Sequence, residues 1–119
     1  MKRIIHALRG FPPAWNGLVR LVKTERHARF HLVATVGVIV AGLVLQISRY
    51  DWMWITLAMG MVWAAEAINS GLERLADRIT RETDQEIGAA KDLAAGGVLA
   101  AAIAAVVIGA LVFLPYLSL

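Results

Sequence analysis

Glu66, Asn69, Glu73 and Asp77 follow one another at i, i+3, i+7 and i+11 at the end of a long apolar stretch. On a helix advancing about 100° per residue, Glu73 and Asp77 fall within roughly 20° of Glu66, with Asn69 about 60° away. A carboxylate at bilayer depth costs about 2.5 to 3.5 kcal/mol on insertion scales, so keeping one there points to a chemical use. Glu25 precedes an earlier apolar stretch, in Glu25-Arg26-His27-Ala28-Arg29-Phe30-His31, and belongs at the level expected for Glu73 and Asp77. Two or three carboxylates meeting at an interface suit a hard divalent cation such as Mg²⁺, which takes a few carboxylates together with phosphate oxygens. The other ligand is then a nucleotide. Glu66 lies about 10 Å deeper along the axis than Glu73, where a carboxylate can act as general base toward a lipid hydroxyl. Asn69, one turn away, can orient that carboxylate or the attacking oxygen without adding charge. Lys91 and Asp92 stand where the chain re-enters apolar sequence; the ammonium suits a nucleotide phosphate and the carboxylate can fix the lysine. Such a set is equipped for phosphoryl transfer.

Spacing alone does not make this case. Asp77, Glu82, Asp84 and Glu86 are equally well placed to pair with Arg74, Arg78 or Arg81 in a solvated stalk. Glu66 differs, because no basic residue lies within a turn on either side of it. His27 and His31 bracket the entrance to the first apolar stretch, where they could touch phosphates, but packing at the interface is their expected role and no metal site is expected on them.

These residues must be held by membrane elements. The chain has 119 residues, 59% of them hydrophobic, against about 45 to 50% for ordinary soluble domains. One small all-α membrane domain, 1–119, is expected: an amphipathic surface segment over 1–29, then spans over about 30–48, 52–70 and 93–117. The second span should continue as helix through the acidic face to about Thr80. Arg49, Tyr50 and Asp51 read as a short polar interruption between the first two spans. Trp15, Leu18, Val19 and Val22 recur at helical spacing opposite Asn16, Arg20, Lys23 and Thr24, the pattern of a helix lying on a membrane surface. Pro12 and Pro13 are expected to break any helix that starts nearer the N-terminus.

The net charge is +3. Lys2, Arg3, Arg9, Arg20, Lys23, Arg26 and Arg29 all precede the first span, and Arg74, Arg78, Arg81 and Lys91 lie between the second and third. Arg49 alone marks the other turn. This asymmetry places the N-terminus and the acidic loop in the cytoplasm. It also makes the anionic membrane surface, and no nucleic acid, the counter-charge. Tyr50, Trp52, Trp54 and Tyr116 then fall at the outer interface as anchors. No removable signal peptide is expected, and with no cysteine there is no disulfide or thiolate metal site. Gly96, Gly97, Ala100, Ala101, Ala104 and Ala105 recur three or four residues apart in the third span, a face suited to close helix packing within or between protomers.

Glu66-Ala67-Ile68-Asn69-Ser70-Gly71-Leu72-Glu73, Asp77, and Ala89-Ala90-Lys91-Asp92-Leu93-Ala94-Ala95-Gly96 resemble the signature of the prokaryotic diacylglycerol kinase and undecaprenol kinase family. The E-R-x-x-R-x-H pattern from Glu25 to His31 is similar too, and the resemblance runs from about Trp15 to the third span. It implies a homotrimeric bundle of small integral membrane kinases, three spans and a surface helix per protomer, with active sites between protomers. It further implies that Glu25 and Glu73 bind the Mg²⁺ bridging ATP phosphates, that Glu66 is the base with Asn69 beside it, and that Asp77, Lys91 and Asp92 contact the nucleotide or hold those that do. His27 stands where the family often has asparagine, and Asp84 where it commonly has histidine. Arg3 and Arg9 are alternative nucleotide contacts near the N-terminus. Neither a P-loop nor a protein-kinase signature is present.

The expected function is an ATP-dependent kinase of the bacterial inner membrane acting on a lipid alcohol. The E-R-x-x-R-x-H entrance and the Ala94-Ala95-Gly96-Gly97 run look more like the undecaprenol kinase branch, with diacylglycerol as the alternative substrate. A reading from another class is a small oligomeric channel lined by Glu66 and Asn69.

Overall fold

A computed structural model describes residues 1–118. Four helices carry the chain: α1 (Lys2–Thr24), α2 (Arg26–Leu45), α3 (Arg49–Ile79) and α4 (Gln85–Leu117), with no strand among the described residues. The last three are each long and apolar enough to cross a membrane. The protein is an all-α membrane protein.

Helix α1 does not break at its prolines; Pro12 and Pro13 lie inside one continuous helix. The fixed proline φ near −65° is itself helical, so the cost lies in steric crowding and in the two donors lost. Those donors would have served the carbonyls of Leu8 and Arg9, four residues back, and both residues are exposed. Water or headgroups can satisfy them there. Exposed Ile4, Leu8, Phe11, Trp15 and Leu18 leave α1 with an apolar face beyond the chain's own packing, and Phe11 and Trp15 stack at 6.3 Å between ring centroids. Leu21 is buried and anchors the far end.

One extended residue, Glu25 (φ −108°, ψ 122°), both ends α1 and starts α2. Its N–H donates to the Leu21 carbonyl, and its own carbonyl accepts from Arg29. The bend therefore presents the Glu25 side chain at the junction of two helices.

The turn between α2 and α3 is tighter than the expected polar interruption. Gln46 adopts the left-handed conformation (φ 53°, ψ 51°) and closes α2, as a residue just past a helix end commonly does. Ser48 then caps α3, its Oγ accepting from the Asp51 N–H at 3.2 Å, so Arg49, Tyr50 and Asp51 form the first turn of α3 instead of a loop. Tyr116 reaches this turn from the end of α4: its hydroxyl donates to Asp51 Oδ2 at 2.6 Å and accepts from the Ser48 N–H at 3.0 Å. It is a clamp across the bundle as well as an aromatic near the helix end. Trp52 likewise turns inward; a Cβ added to Gly42 would lie 2.5 and 2.7 Å from its ring carbons. Only glycine lets α2 approach that ring. Tyr50 and Trp54 remain exposed, as interfacial anchors would be.

Ile47, Ile55 and Val112 form the buried centre near this hairpin, with Val38, Trp52, Ile108 and Phe113 against it. Helix α3 packs most extensively on α4. At 31 residues, α3 is about 46 Å long, well beyond the roughly 30 Å of hydrocarbon. Glu73 and Asp77 lie in the final turns of the helix. Asp84 caps α4 by accepting from the Glu86 and Ile87 N–H groups, both at 3.0 Å. That cap starts the helix at Gln85, eight residues before the expected span at Leu93, and places Lys91 and Asp92 inside it.

Candidate active site

Glu66 and Ser70 are the buried polar side chains of the described residues, at 7% and 9% exposure. Both lie on α3, one turn apart, facing the bundle. The partner of Glu66 comes from α2: His31 Nε2 lies 2.9 Å from Glu66 Oε1. An ionised carboxylate only accepts hydrogen bonds, so Nε2 carries the hydrogen in that state. A second polar rung sits just beyond it. Trp63 Nε1 donates to Thr35 Oγ1 at 3.0 Å, and that hydroxyl donates to the His31 carbonyl at 2.7 Å. His31 is thus part of the site as well as an interfacial residue. Sequence spacing does not show this pairing, because the two partners are 35 residues apart; its signal in the sequence is a carboxylate without a local base.

Two grooves are lined by α3 residues near Glu66 in the chain, Val62 and Trp63 in one and Ala67 and Ser70 in the other. Toward the hairpin lies an apolar cavity of about 430 Å³ walled by α2, α3 and α4, with His31, Thr35, Val62 and Trp63 at one end and Ile55 and Phe113 toward the other. Toward α1 lies a smaller one of about 260 Å³, lined by Gly17, Arg20, Ala67, Ser70, Gly71 and Arg74. Trp63 lines the first and Ala67 the second; Glu66 itself lines neither, and it meets the apolar trough through His31, which stands at the trough's end.

Asn69 keeps its Oδ1 buried without a hydrogen-bond partner among the described residues. Such an atom costs about 1 to 3 kcal/mol unless something satisfies it. Arg74 ties α3 to the α1–α2 junction, its Nη2 donating to Thr24 Oγ1 at 2.6 Å and lying 3.7 Å from Glu25 Oε1. Glu73, next to Arg74, is exposed. Lys91 Nζ donates to Asp77 Oδ1 at 2.7 Å. The carboxylate that holds the lysine is therefore Asp77, and Asp92 is exposed; Asp92 follows Lys91 directly on α4, about 100° around the helix, where it cannot share that face. The Lys91 hydrogen bond draws the Asp77 carboxyl below the ordinary aspartate range, burial opposes this in part, and the charges of Lys91 and Arg81 add to the lowering. Asp84 and Thr80 serve the backbone of the α3–α4 turn.

The chain thus groups the expected residues in pairs: His31–Glu66, Arg74–Glu25 and Lys91–Asp77. No three histidine or acidic side chains gather closely enough to hold a metal among the described residues. The donor set still fits Mg²⁺ in kind, since Glu25, Glu73 and the orphaned Asn69 carbonyl are hard oxygens.

Fold and site define a small all-α membrane protein with a buried carboxylate held by a histidine. The comparisons make the assignment: the sequence profile of prokaryotic diacylglycerol kinase matches residues 13–113, and the chain belongs to that family. It is an enzyme with an alcohol group as phosphoryl acceptor. It is 36% identical over 109 residues to "Undecaprenol kinase" of Bacillus subtilis (strain 168), covering 92% of this chain and 89% of that protein. It is also 36% identical over 106 residues to "Diacylglycerol kinase" of Synechocystis sp. (strain ATCC 27184 / PCC 6803 / Kazusa), covering 88% of this chain and 61% of that protein.

Proposed function

We propose that the protein transfers the γ-phosphoryl of ATP to the hydroxyl of a membrane lipid, undecaprenol in preference to diacylglycerol. The observation that carries this reading is a buried carboxylate, Glu66, held by His31 at the end of an apolar trough, with its chain neighbour Ala67 in the arginine-bearing pocket. A lipid tail in the trough brings its hydroxyl to the carboxylate from one side. A nucleotide in the pocket under α1 brings its phosphates from the other, within reach of Arg20 and Arg74. Glu66 takes the hydroxyl proton as the oxygen attacks phosphorus, and Asn69 offers its free carbonyl to align the reacting groups. Lys91, held by Asp77, meets phosphate charge, and Asp92 holds or contacts the nucleotide. Glu25 and Glu73 would hold Mg²⁺, which when bound would neutralise phosphate charge. Positioning and electrostatics supply most of the acceleration, as phosphoryl transfer requires.

The separation of the pairs within one chain is what a site shared between protomers would show. We place the protein in the bacterial inner membrane as a homotrimer, N-terminus and α3–α4 turn in the cytoplasm. The exposed Gly96, Gly97 and Ala100 form a small-residue face on α4 suited to a neighbouring helix. Preference for undecaprenol rests on the Glu25–His31 motif, the Ala94–Gly97 run and the near full-length match to a protein named for that substrate. A channel would need Glu66 turned to an open path, and here it is buried against His31.

The test is phosphorylation by purified protein in mixed micelles, with ATP and Mg²⁺ and with undecaprenol or a diacylglycerol at equal mole fraction. Faster turnover of undecaprenol is expected. The reverse order assigns diacylglycerol, and inactivity toward both ends the lipid-kinase reading.

A further inference from the structure

Glu66 presents a physical problem that its own helix does not solve. Its side chain is 10% exposed, and the residues within a turn of it, from Val62 to Ser70, carry no basic group. A carboxylate in such surroundings must be paired or hydrogen-bonded, or it gives up its charge. The structure meets this need from α2, with the His31 Nε2 contact at 2.9 Å.

That contact is braced. Thr35 follows His31 by one turn of α2, and Trp63 precedes Glu66 by about one turn of α3. Because the helices run in opposite directions, the Trp63–Thr35 and Glu66–His31 pairs stack as adjacent rungs. The Thr35 hydroxyl accepts from Trp63 and donates to the His31 carbonyl, so the turn that carries the imidazole is itself fastened to α3. His31, Thr35 and Trp63 all line the apolar trough. The braced imidazole therefore stands at the end of the trough and engages one of the two Glu66 oxygens, Oε1.

We propose that His31 is a positioning residue for phosphoryl transfer: its Nε2–H holds Glu66 Oε1, so that the second carboxylate oxygen faces the acceptor hydroxyl arriving through the trough. This rests on the reading of Glu66 as the base. The step it assists is the transfer proposed above. The hydroxyl proton passes to Glu66, the acceptor oxygen forms the new P–O bond, and the bond from the γ-phosphorus to the ADP oxygen breaks.

The experiment compares His31→Phe, His31→Gln and Glu66→Gln in the micelle assay, with kcat and the KM for ATP measured separately. Phenylalanine keeps ring bulk and removes the donor. Glutamine puts an N–H donor close to where Nε2 lies. His31→Phe should lower kcat about 10- to 100-fold, the scale of a lost hydrogen bond to a charged group, with KM for ATP within twofold. His31→Gln should recover most of that loss, and in the Glu66→Gln background His31→Phe should cost little more. Should His31→Phe fail to fold, His31→Asn replaces it, since its amide overlays Nδ1 and falls short of Glu66. Full activity in the donor-lacking variant, or equal loss in it and His31→Gln, overturns the proposal while leaving the base assignment intact. An undiminished Glu66→Gln overturns the base assignment and the proposal with it.

Discussion

Replacing Glu66 by glutamine removes a proton acceptor while changing almost nothing else. Glutamine matches glutamate in length, and its Oε1 can accept from His31 Nε2–H as the carboxylate oxygen does at 2.9 Å. The 7% exposure of the site means that bulk water has little access to stand in as base. General-base catalysis contributes about 10²- to 10⁴-fold, or roughly 2.7 to 5.4 kcal/mol at 1.36 kcal/mol per decade. The poor water access favours the upper part of that range, so kcat should fall at least about a hundredfold. Glu25, Arg74 and Lys91 are untouched, so KM for ATP should stay within about twofold. Thermal unfolding in detergent should show no loss of stability, because the substitution removes a buried charge without removing its hydrogen bond. A kcat within threefold of the parent, or a defect confined to KM, refutes the role assigned to Glu66.

Other perturbations test the frame that holds the site. Gly42→Val places a branched side chain against the Trp52 ring, which a bare Cβ would already approach to 2.5 Å; a loss of about 1 to 3 kcal/mol is expected from overpacking, read as a lower unfolding temperature and eased by Trp52→Ala. Tyr116→Phe removes the hydroxyl that joins Asp51 and Ser48, and should cost about 1 to 3 kcal/mol in detergent unfolding while leaving KM for ATP unchanged. The Asp77–Lys91 contact carries a pH dependence. The folded-state pKa of Asp77 is depressed, so the contact's contribution is present above the ordinary aspartate pKa and is lost as pH falls through the lower folded value. In Asp77→Asn the acid limb of the stability profile should flatten, and an unchanged limb would show that the pair contributes nothing. Asn69→Leu should lower kcat without destabilising the protein, because the buried Oδ1 it removes has no partner within the chain; a clear loss of stability would assign Asn69 a packing role.

Much of the architecture is legible in the sequence. Largely apolar sequence free of Asp, Glu, Lys and Arg, after Leu93 and between Phe30 and Ser48, admits little except membrane helix, and the helical phase of Glu66, Glu73 and Asp77 follows from their spacing. Helix ends were read less well, since caps outweigh hydropathy there. Asp84 starts α4 eight residues before the apolar run, Ser48 draws Arg49 to Asp51 into α3, and α1 continues through Pro12 and Pro13.

Chain order alone determined which residues are chemically competent, because type and periodicity are properties of the one-dimensional string. Partnership was decided only by the tertiary structure. His31 meets Glu66 across 35 positions, Arg74 meets Thr24 across 50, and Tyr116 meets Asp51 across 65. Which side chain answers a buried charge depends on the rotation and depth of one helix against another. Those are set by the summed packing of many small contacts, such as Trp52 on Gly42, and no local spacing encodes them.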